Sequence, residues 1–396
     1  MRLILVIEEV NCGGAELSFF ALCRALANRA VVHLAISEES LKNSSIKALH
    51  DSLSDTAITV HRCRTPLNPG TLSNLHRRLR WSAAREIADL IRTIAPDAVV
   101  VNLPTIERGQ AVVDAADLVV PSPPVWGFLH LTQKPSIIGA QLGRFRDLMV
   151  PALLRRFDGL FTVSTHGAGD IAARYHTRPP VVLYPPISLE PPSSSGNRKA
   201  RRAEENLPEK FLLGMVGRVQ IHHKGHDAAL RLLRRLVDAG QAVHLVVVGD
   251  GPDMVPVQTL ARELQIFGNV SFLGWRQDAG ELIPLLDLVI MPSRYEGMPL
   301  VALQAAAARV PVVGYAVGGL SELLPPEFTV PPGDETALTA ATSAVIAGSL
   351  QWPTEELAQR AAGWSDPAAA AERVLAALQS PASENSLNLL ASRSRK

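Results

Sequence analysis

Arg218 and Lys224 stand six residues apart on the loop after the apolar run Phe211–Gly217 (FLLGMVG), and Gly225 opens the next helical stretch. Arginine offers a planar fork of donors and lysine a mobile point charge, so the pair could clamp a diphosphate. Two solvated surface cations would explain the same residues. A second loop follows Leu288–Met291 and reads PSRYEGMPLVALQAAA. Pro299 suits the first turn of a helix, where its missing N–H costs nothing. The N–H groups of Gly297, Met298 and Leu300 would then lie at the positive end of that helix, a ready anion site. Glu296, just before them, could accept hydrogen bonds from ligand hydroxyls. It could also simply cap the helix, although caps favour Ser, Asp or Asn.

Other loops carry less specific signals. Gly249-Asp250-Gly251-Pro252, after HLVVV, has turn composition and could do no more than connect a strand to a helix. Gly274-Trp275-Arg276 follows VSFL. Backbone at Gly274 could hydrogen-bond a base with Trp275 or Arg276 over its face, or the segment is a solvated turn. In the first half, Asn11-Cys12-Gly13-Gly14 follows the first apolar run and opens a helical stretch. Gly13 and Gly14 permit close approach of a phosphate or sugar, or form a tight turn with no ligand. His130 ends WGFLH, where a lone histidine is as readily structural.

The elements that must position these loops follow from the apolar spacing. Arg2–Ile7, Val31–Ile36, Ala98–Asn102, Trp126–Leu131, Gly159–Ser164 and Val181–Tyr184 read as strands, with helices at Gly14–Ala27 and Ala83–Ile94. The alternation stops at Pro185, where PPISLEPPSSSGNRKARRAEENLP has the composition of a linker, residues 186–209. It restarts with strands at 211–217, 244–248, 270–273, 288–291 and 310–315, and helices near 227–239, 254–264, 279–286 and 300–308. Pro284 weakens the third of these helices. The pattern predicts an α/β chain of two Rossmann-like parallel-sheet domains, 1–185 and 210–365, facing across a cleft. A closing helix at 366–379 and a polar, mobile tail at 380–396 complete it. Ligands bind at the carboxyl edges of such sheets, where all of these loops fall.

The 396 residues, 47% apolar and 19% charged, suffice for two cores. A net charge of +1 provides no global field for nucleic acid. Cys12, Cys23 and Cys63 form no CxxC or Cys/His pattern, so neither zinc nor a disulfide framework is expected, and the usage fits a reducing compartment. MRLILVIEEV reads as a buried strand rather than a signal peptide. The most apolar window, Leu300–Gly319, contains Gln304, Arg309 and Pro311, and is no membrane span. The expected location is cytoplasmic. Peripheral contact with the inner face of the cell membrane is kept open by two basic amphipathic segments. LHRRLRWSAAREIADLIR carries Arg77, Arg78, Arg80, Trp81 and Arg85. LGRFRDLMVPALLRRFDG carries Arg144, Arg146, Arg155 and Arg156 beside Phe145, Leu148, Met149 and Phe157. Such faces could sit on anionic lipid, or be ordinary solvated helix surfaces.

In order and spacing, GR…KG, VVGDGP, FLG, PSRYEGMPLVALQAAA and PVV…GGLSELL, across residues 211–324, resemble the retaining glycosyltransferases of family 4 (glycosyl transferases group 1), which have the GT-B fold. The resemblance implies transfer of a sugar from a UDP- or GDP-linked donor to a glycan or lipid-linked acceptor, as in cell-envelope polysaccharide synthesis. It implies Arg218 and Lys224 on the donor diphosphate and Glu296 against the donor sugar. The amides of Gly297, Met298 and Leu300 would hold phosphate and sugar. Gly13 and Gly14 would approach from the other domain, and His130 would line the site of transfer. Gln304 stands where the family carries a second Glu on the ribose hydroxyls; it keeps an acceptor oxygen and lacks the charge. No acidic pair of DxD type stands at a plausible strand end, so no metal or other cofactor is expected. Arg218, Lys224 and a helix N-terminus would stabilise the leaving diphosphate instead. Two alternatives stay open. A sugar-nucleotide epimerase would need further acid/base residues in the cleft, and Gln304 keeps a non-catalytic binding or scaffold subunit in view.

Overall fold

The computed structural model describes residues 1–67, 80–189 and 198–380. Arg77, Arg78, the middle of the expected linker and the tail from residue 381 lie outside the described residues. Strands β1 (Arg2–Ile7), β2 (Val31–Ser37), β3 (Thr59–Cys63), β4 (Ala98–Thr105), β5 (Val125–Leu131), β6 (Gly159–Thr162) and β7 (Val181–Val182) form one sheet. Its order is β3-β2-β1-β4-β5-β6-β7. Strands β8 (Phe211–Val216), β9 (Val243–Val248), β10 (Val270–Gly274), β11 (Leu288–Met291), β12 (Val312–Tyr315) and β13 (Thr329–Val330) form the other. Its order is β10-β9-β8-β11-β12-β13. Every pairing is parallel. Parallel strands need crossovers, and the crossover helices cover both faces, which is why VHLVVV in β9 is buried along its whole length.

In each sheet the order reverses beside the first strand, between β1 and β4 and between β8 and β11. Loops leave such a switch point in opposite directions and open a crevice at the carboxyl edge. Arg218 follows β8 and Glu296 follows β11; Gly13 follows β1, and His130 lies in β5.

The segment expected to be a linker is partly a helix, Arg198–Glu204. Arg198 donates to the carbonyls of Pro284 and Leu286, and Arg202 to that of Leu285 and to Asp287. These arginines hold the helix on the second domain, so the charged run of the expected linker is used in packing.

The chain crosses between the domains a second time. The helix Pro367–Gln379 packs on the first-domain helix Gly14–Ala27, with Arg29 and Glu372 paired at 2.8 Å. The two crossings run side by side. Ile187 N–H donates to the Ser365 carbonyl at 3.1 Å, and Tyr184 stacks on Trp364 with centroids 4.1 Å apart.

Candidate active site in the cleft

The loop after β8 is braced by glycines. A Cβ on Gly249 would fall 1.9 Å from the Gly217 carbonyl oxygen, and one on Gly251 would fall 2.2 Å from that of Val219. The Gly249–Pro252 turn therefore does more than join a strand to a helix: it presses the Arg218 loop into place. Asp253 adds an acceptor for Ile221 N–H at 2.7 Å. Arg218 at the tip is exposed and has no hydrogen bond or ion pair among the described residues.

Lys224 ends the short helix Ile221–Lys224, and Gly225 follows at φ +69°, with a Cβ there only 2.1 Å from the Pro292 carbonyl oxygen. This close approach seats the β8 loop on the β11 loop. Arg294 clasps the two together, through its backbone N–H to the His223 carbonyl and its guanidinium to Asp227. Lys224 Nζ then reaches Glu296 Oε1 at 2.6 Å.

Glu296 is 5% exposed. Burial works to raise its carboxyl, but Lys224, His223 and a hydrogen bond from Ser293 outweigh burial and hold it below the usual range. It is an anion, ready to accept from hydroxyls. His223 stacks on Tyr295 at 4.2 Å, with Nε2 3.9 Å from Glu296. Burial, followed by the charge of Lys224, lowers His223 to about 4, so it stays neutral. His223, Tyr295 and Ser293 are site residues that the sequence reading missed; their only signal was adjacency to Lys224 and Glu296.

Pro299 is the N-cap rather than the first helical residue, and the helix runs Leu300–Ala307. The backbone at Pro299 is extended, so the residues before it stand outside the helix. The N–H groups of Gly297, Met298 and Leu300 have no partner among the described residues. Met298 contributes only its amide, because its side chain packs against Gly319.

The first domain closes on this loop directly. A Cβ on Gly297 would sit 2.0 Å from the His130 carbonyl oxygen, so only glycine admits the contact. A Cβ on Gly14 would sit 3.2 Å from Leu300, which brings the start of helix Gly14–Ala27 opposite the start of helix Leu300–Ala307. His130 Nε2 lies 2.8 Å from Asn102 Oδ1, and Asn102 Nδ2 donates to Glu16 Oε1 at 3.2 Å. Glu16 Oε2 accepts Gly13 N–H at 2.9 Å. The Asn102 amide, oriented by Glu16, makes Nε2 the protonated nitrogen of His130 and leaves Nδ1 as acceptor. Burial lowers His130 to about 3 and raises Glu16 to about 7. Asn102 and Glu16 were not legible as site residues, since their roles depend on a chain of contacts between strands.

Other expectations change. Arg276 is held by Glu205 and Asp278, which removes it as a cover for a base, while Trp275 stays 57% exposed. The Gly274 carbonyl accepts Gly249 N–H at 2.7 Å and so supports the neighbouring turn. Gln304 is half-buried near Gly280, and its side chain makes no hydrogen bond among the described residues. The basic segments are less basic at the surface than their sequence suggests. Arg80 pairs with Asp114, Arg146 with Glu107, and Arg156 with Asp114 and Asp117. Arg85 lies over the Trp81 ring.

Residues 210–348 match the family model described as glycosyl transferases group 1, and residues 13–186 match that of the glycosyl transferase 4-like domain. The 2-deoxystreptamine glucosyltransferase of Streptomyces kanamyceticus is 29% identical over 224 residues, 53% of this chain and 56% of that relative. The D-inositol 3-phosphate glycosyltransferase of Stackebrandtia nassauensis is 34% identical over 179 residues, 41% and 40% of the two chains. The chain thus spans about half the length of these curated relatives, or less. The crystal structure of Anabaena HepE in complex with UDP superposes with a TM-score of 0.75 at 20% identity, covering 96% of this chain and all of that one. Two parallel-sheet domains sharing a cleft in this arrangement define the GT-B class. Within that class, the chain belongs to the family of glycosyl transferases group 1.

Proposed function

We propose that the protein transfers a glycosyl group from a nucleoside-diphosphate sugar to a glycan or lipid-linked acceptor, with retention of configuration and without a metal. The observation that supports this best is the convergence on one cleft of Arg218 and the amides at 297, 298 and 300, all without a partner among the described residues, with a Lys224–Glu296 pair, and the seating of Gly297 against the His130 carbonyl. Arg218, Lys224 and the helix start supply the positive charge a departing diphosphate requires. Glu296 accepts hydrogen bonds from the donor sugar, and neutral His130 lines the reacting carbon. With no second carboxylate placed as nucleophile among the described residues, the acceptor hydroxyl attacks the anomeric carbon on the face the diphosphate leaves. The acceptor C–O bond forms as the sugar–phosphate bond breaks, and the hydroxyl proton passes to the departing phosphate oxygen.

HepE has been solved with UDP and with UDP-glucose, which makes a UDP-sugar the first donor to try with this chain. Nucleotide release from UDP- and GDP-sugars, with and without chelator, is the direct test. Turnover that survives chelation supports the reading. If no donor binds or turns over, and Gln304→Glu does not restore binding, the chain is a binding subunit instead.

A second reading concerns where the acceptor is met. Leu142, Phe145 and Leu148, at three-residue spacing along the start of the helix Gly143–Leu154, are between 57% and 76% exposed, and Ile137 is 47% exposed. Arg144 and Arg155, exposed nearby, have no ion pair among the described residues. No helix among the described residues is long and apolar enough to cross a membrane. This patch supports peripheral contact with anionic lipid. Flotation with anionic vesicles at low salt, lost in a Phe145→Ser/Leu148→Ser variant, is expected; no flotation of the unaltered protein rejects it.

A further inference from the structure

Glu322 lies on the short second-domain helix Leu320–Leu323, yet the hydrogen bonds of its carboxylate all go to the first domain. It accepts the backbone N–H of Thr165 at 3.1 Å, that of His166, and the Tyr184 hydroxyl at 3.1 Å. Thr165 and His166 open the helix Thr165–Tyr175, and the Ser164 side chain accepts the next amide, Gly167 N–H, at 3.0 Å. The leading amides of that helix are thus satisfied jointly by its own cap and by a residue 157 positions away from Thr165. An anion at the positive end of a helix is a favourable pairing, and a carboxylate bound by three converging donors fixes direction as well as distance. Burial, reinforced by Glu322, pushes the Tyr184 hydroxyl up to about 12, so it remains a donor.

This contact is joined to the cleft from both sides. In the second domain, the Glu322 helix begins at Gly318-Gly319. Gly319 N–H donates to the Gly297 carbonyl at 2.5 Å, and a Cβ on Gly318 would fall 2.1 Å from the Glu296 carbonyl oxygen. In the first domain, the Thr165 helix follows Val163, whose side chain lies 2.9 Å from where a Cβ on Gly297 would stand, next to the His130 carbonyl. Tyr184 also stacks on Trp364, where the chain crosses back. Moving Glu322 relative to Thr165 therefore moves Glu296 relative to His130.

We infer that Glu322 is a positioning residue: it sets the angle between the two domains at which Glu296 and His130 address the same sugar. This rests on the transfer reaction proposed above. Its carboxylate is committed to first-domain donors, so its removal leaves the donor-binding groups of the second domain in place.

The test is Glu322→Ala, read by steady-state kinetics, UDP titration and small-angle scattering on the whole chain. kcat should fall about 10- to 100-fold, the scale of lost alignment between reacting groups. KM for the donor and Kd for UDP should stay within about two-fold, and scattering should show a wider domain arrangement. Glu322→Gln, which keeps one acceptor oxygen, should recover part of kcat. Unchanged kcat and scattering overturn the inference. So does a loss confined to UDP affinity, which would place Glu322 in the donor pocket. If Glu322→Ala does not fold, Tyr184→Phe removes one donor; a smaller loss in kcat supports the inference, and no loss overturns it. If the unaltered protein turns over no donor, the reaction assignment fails, while scattering of the two proteins with UDP still decides whether Glu322 sets the domain angle.

Discussion

The two domains meet the cleft in opposite conditions. On the second domain, Arg218 and the amides of Gly297, Met298 and Leu300 have no protein partner among the described residues, and Lys224 is shared with Glu296 alone. On the first, His130, Asn102 and Glu16 are linked in a buried chain of hydrogen bonds that ends on the Gly13 N–H. Amides left unpaired in buried backbone carry a cost that a ligand removes, whereas a paired network holds its shape with or without one. On the function proposed above, the second domain is the half completed by the donor's diphosphate, and the first is a preset wall.

The largest effect should come from the open half. Lys224→Ala removes the proposed diphosphate contact and strands a buried carboxylate at Glu296, so kcat/KM for the donor should drop about 10²- to 10³-fold. A variant that still binds UDP as tightly as the parent in titration calorimetry would break the contrast. Next is the seam itself. Gly297→Ala must push a methyl group against the His130 carbonyl, and we expect a loss of about 10- to 100-fold in kcat with the chain still folded. A crystal structure showing the domains undisplaced, with full activity, would contradict that.

A smaller effect is expected within the wall. Asn102→Ala frees the His130 ring and its tautomer, lowering kcat by about ten-fold while UDP affinity is retained; imidazole NMR shifts would show mixed tautomers. The smallest concerns Glu8 of the first domain, whose Oε2 accepts Gly109 N–H at 2.9 Å and whose Oε1 has no hydrogen-bond partner among the described residues. Burial raises its pKa to about 7 in the folded chain from 4.5. The folded state therefore holds this proton more tightly than the unfolded one. The resulting penalty is absent below 4.5 and complete above 7, so stability declines as pH rises through that window. Glu8→Gln, which keeps an acceptor for Gly109, should stabilise the protein by about 1–3 kcal/mol at pH 8 and by almost nothing at pH 4. Thermal melts at the two values check it, and an equal gain at both would exclude the buried carboxyl's titration as the cause.

What could be read from the sequence follows the same division. Arg218, Lys224 and Glu296 were legible as candidates because each lies on a loop that follows a short apolar run, and the pattern locates strand ends. β3, TVHRC, escaped notice because it alternates polar residues at a sheet edge, and β13 has only two residues. Arg276, Arg146 and Arg156 read as surface charge because their carboxylate partners include residues 71, 39 and 42 positions away, where no local pattern reaches. Asn102 and Glu322 were missed for the same reason: each matters through one side chain reaching another segment. Gly297 is the intermediate case. Its place before a helix start was plain, but the carbonyl it must clear belongs to the other domain.

The helix Pro367–Gln379 has a consequence for how the molecule is made. Ala370, Ala371 and Val374 are buried in the same apolar cluster as Phe19 and Phe20 of the helix Gly14–Ala27. As the chain leaves the ribosome, the first sheet can pair at once, but one flank of its first helix waits until the whole second sheet has been translated. A fragment cut between the sheets would carry that flank bare, and adding back a peptide of residues 367–379 should restore its solubility.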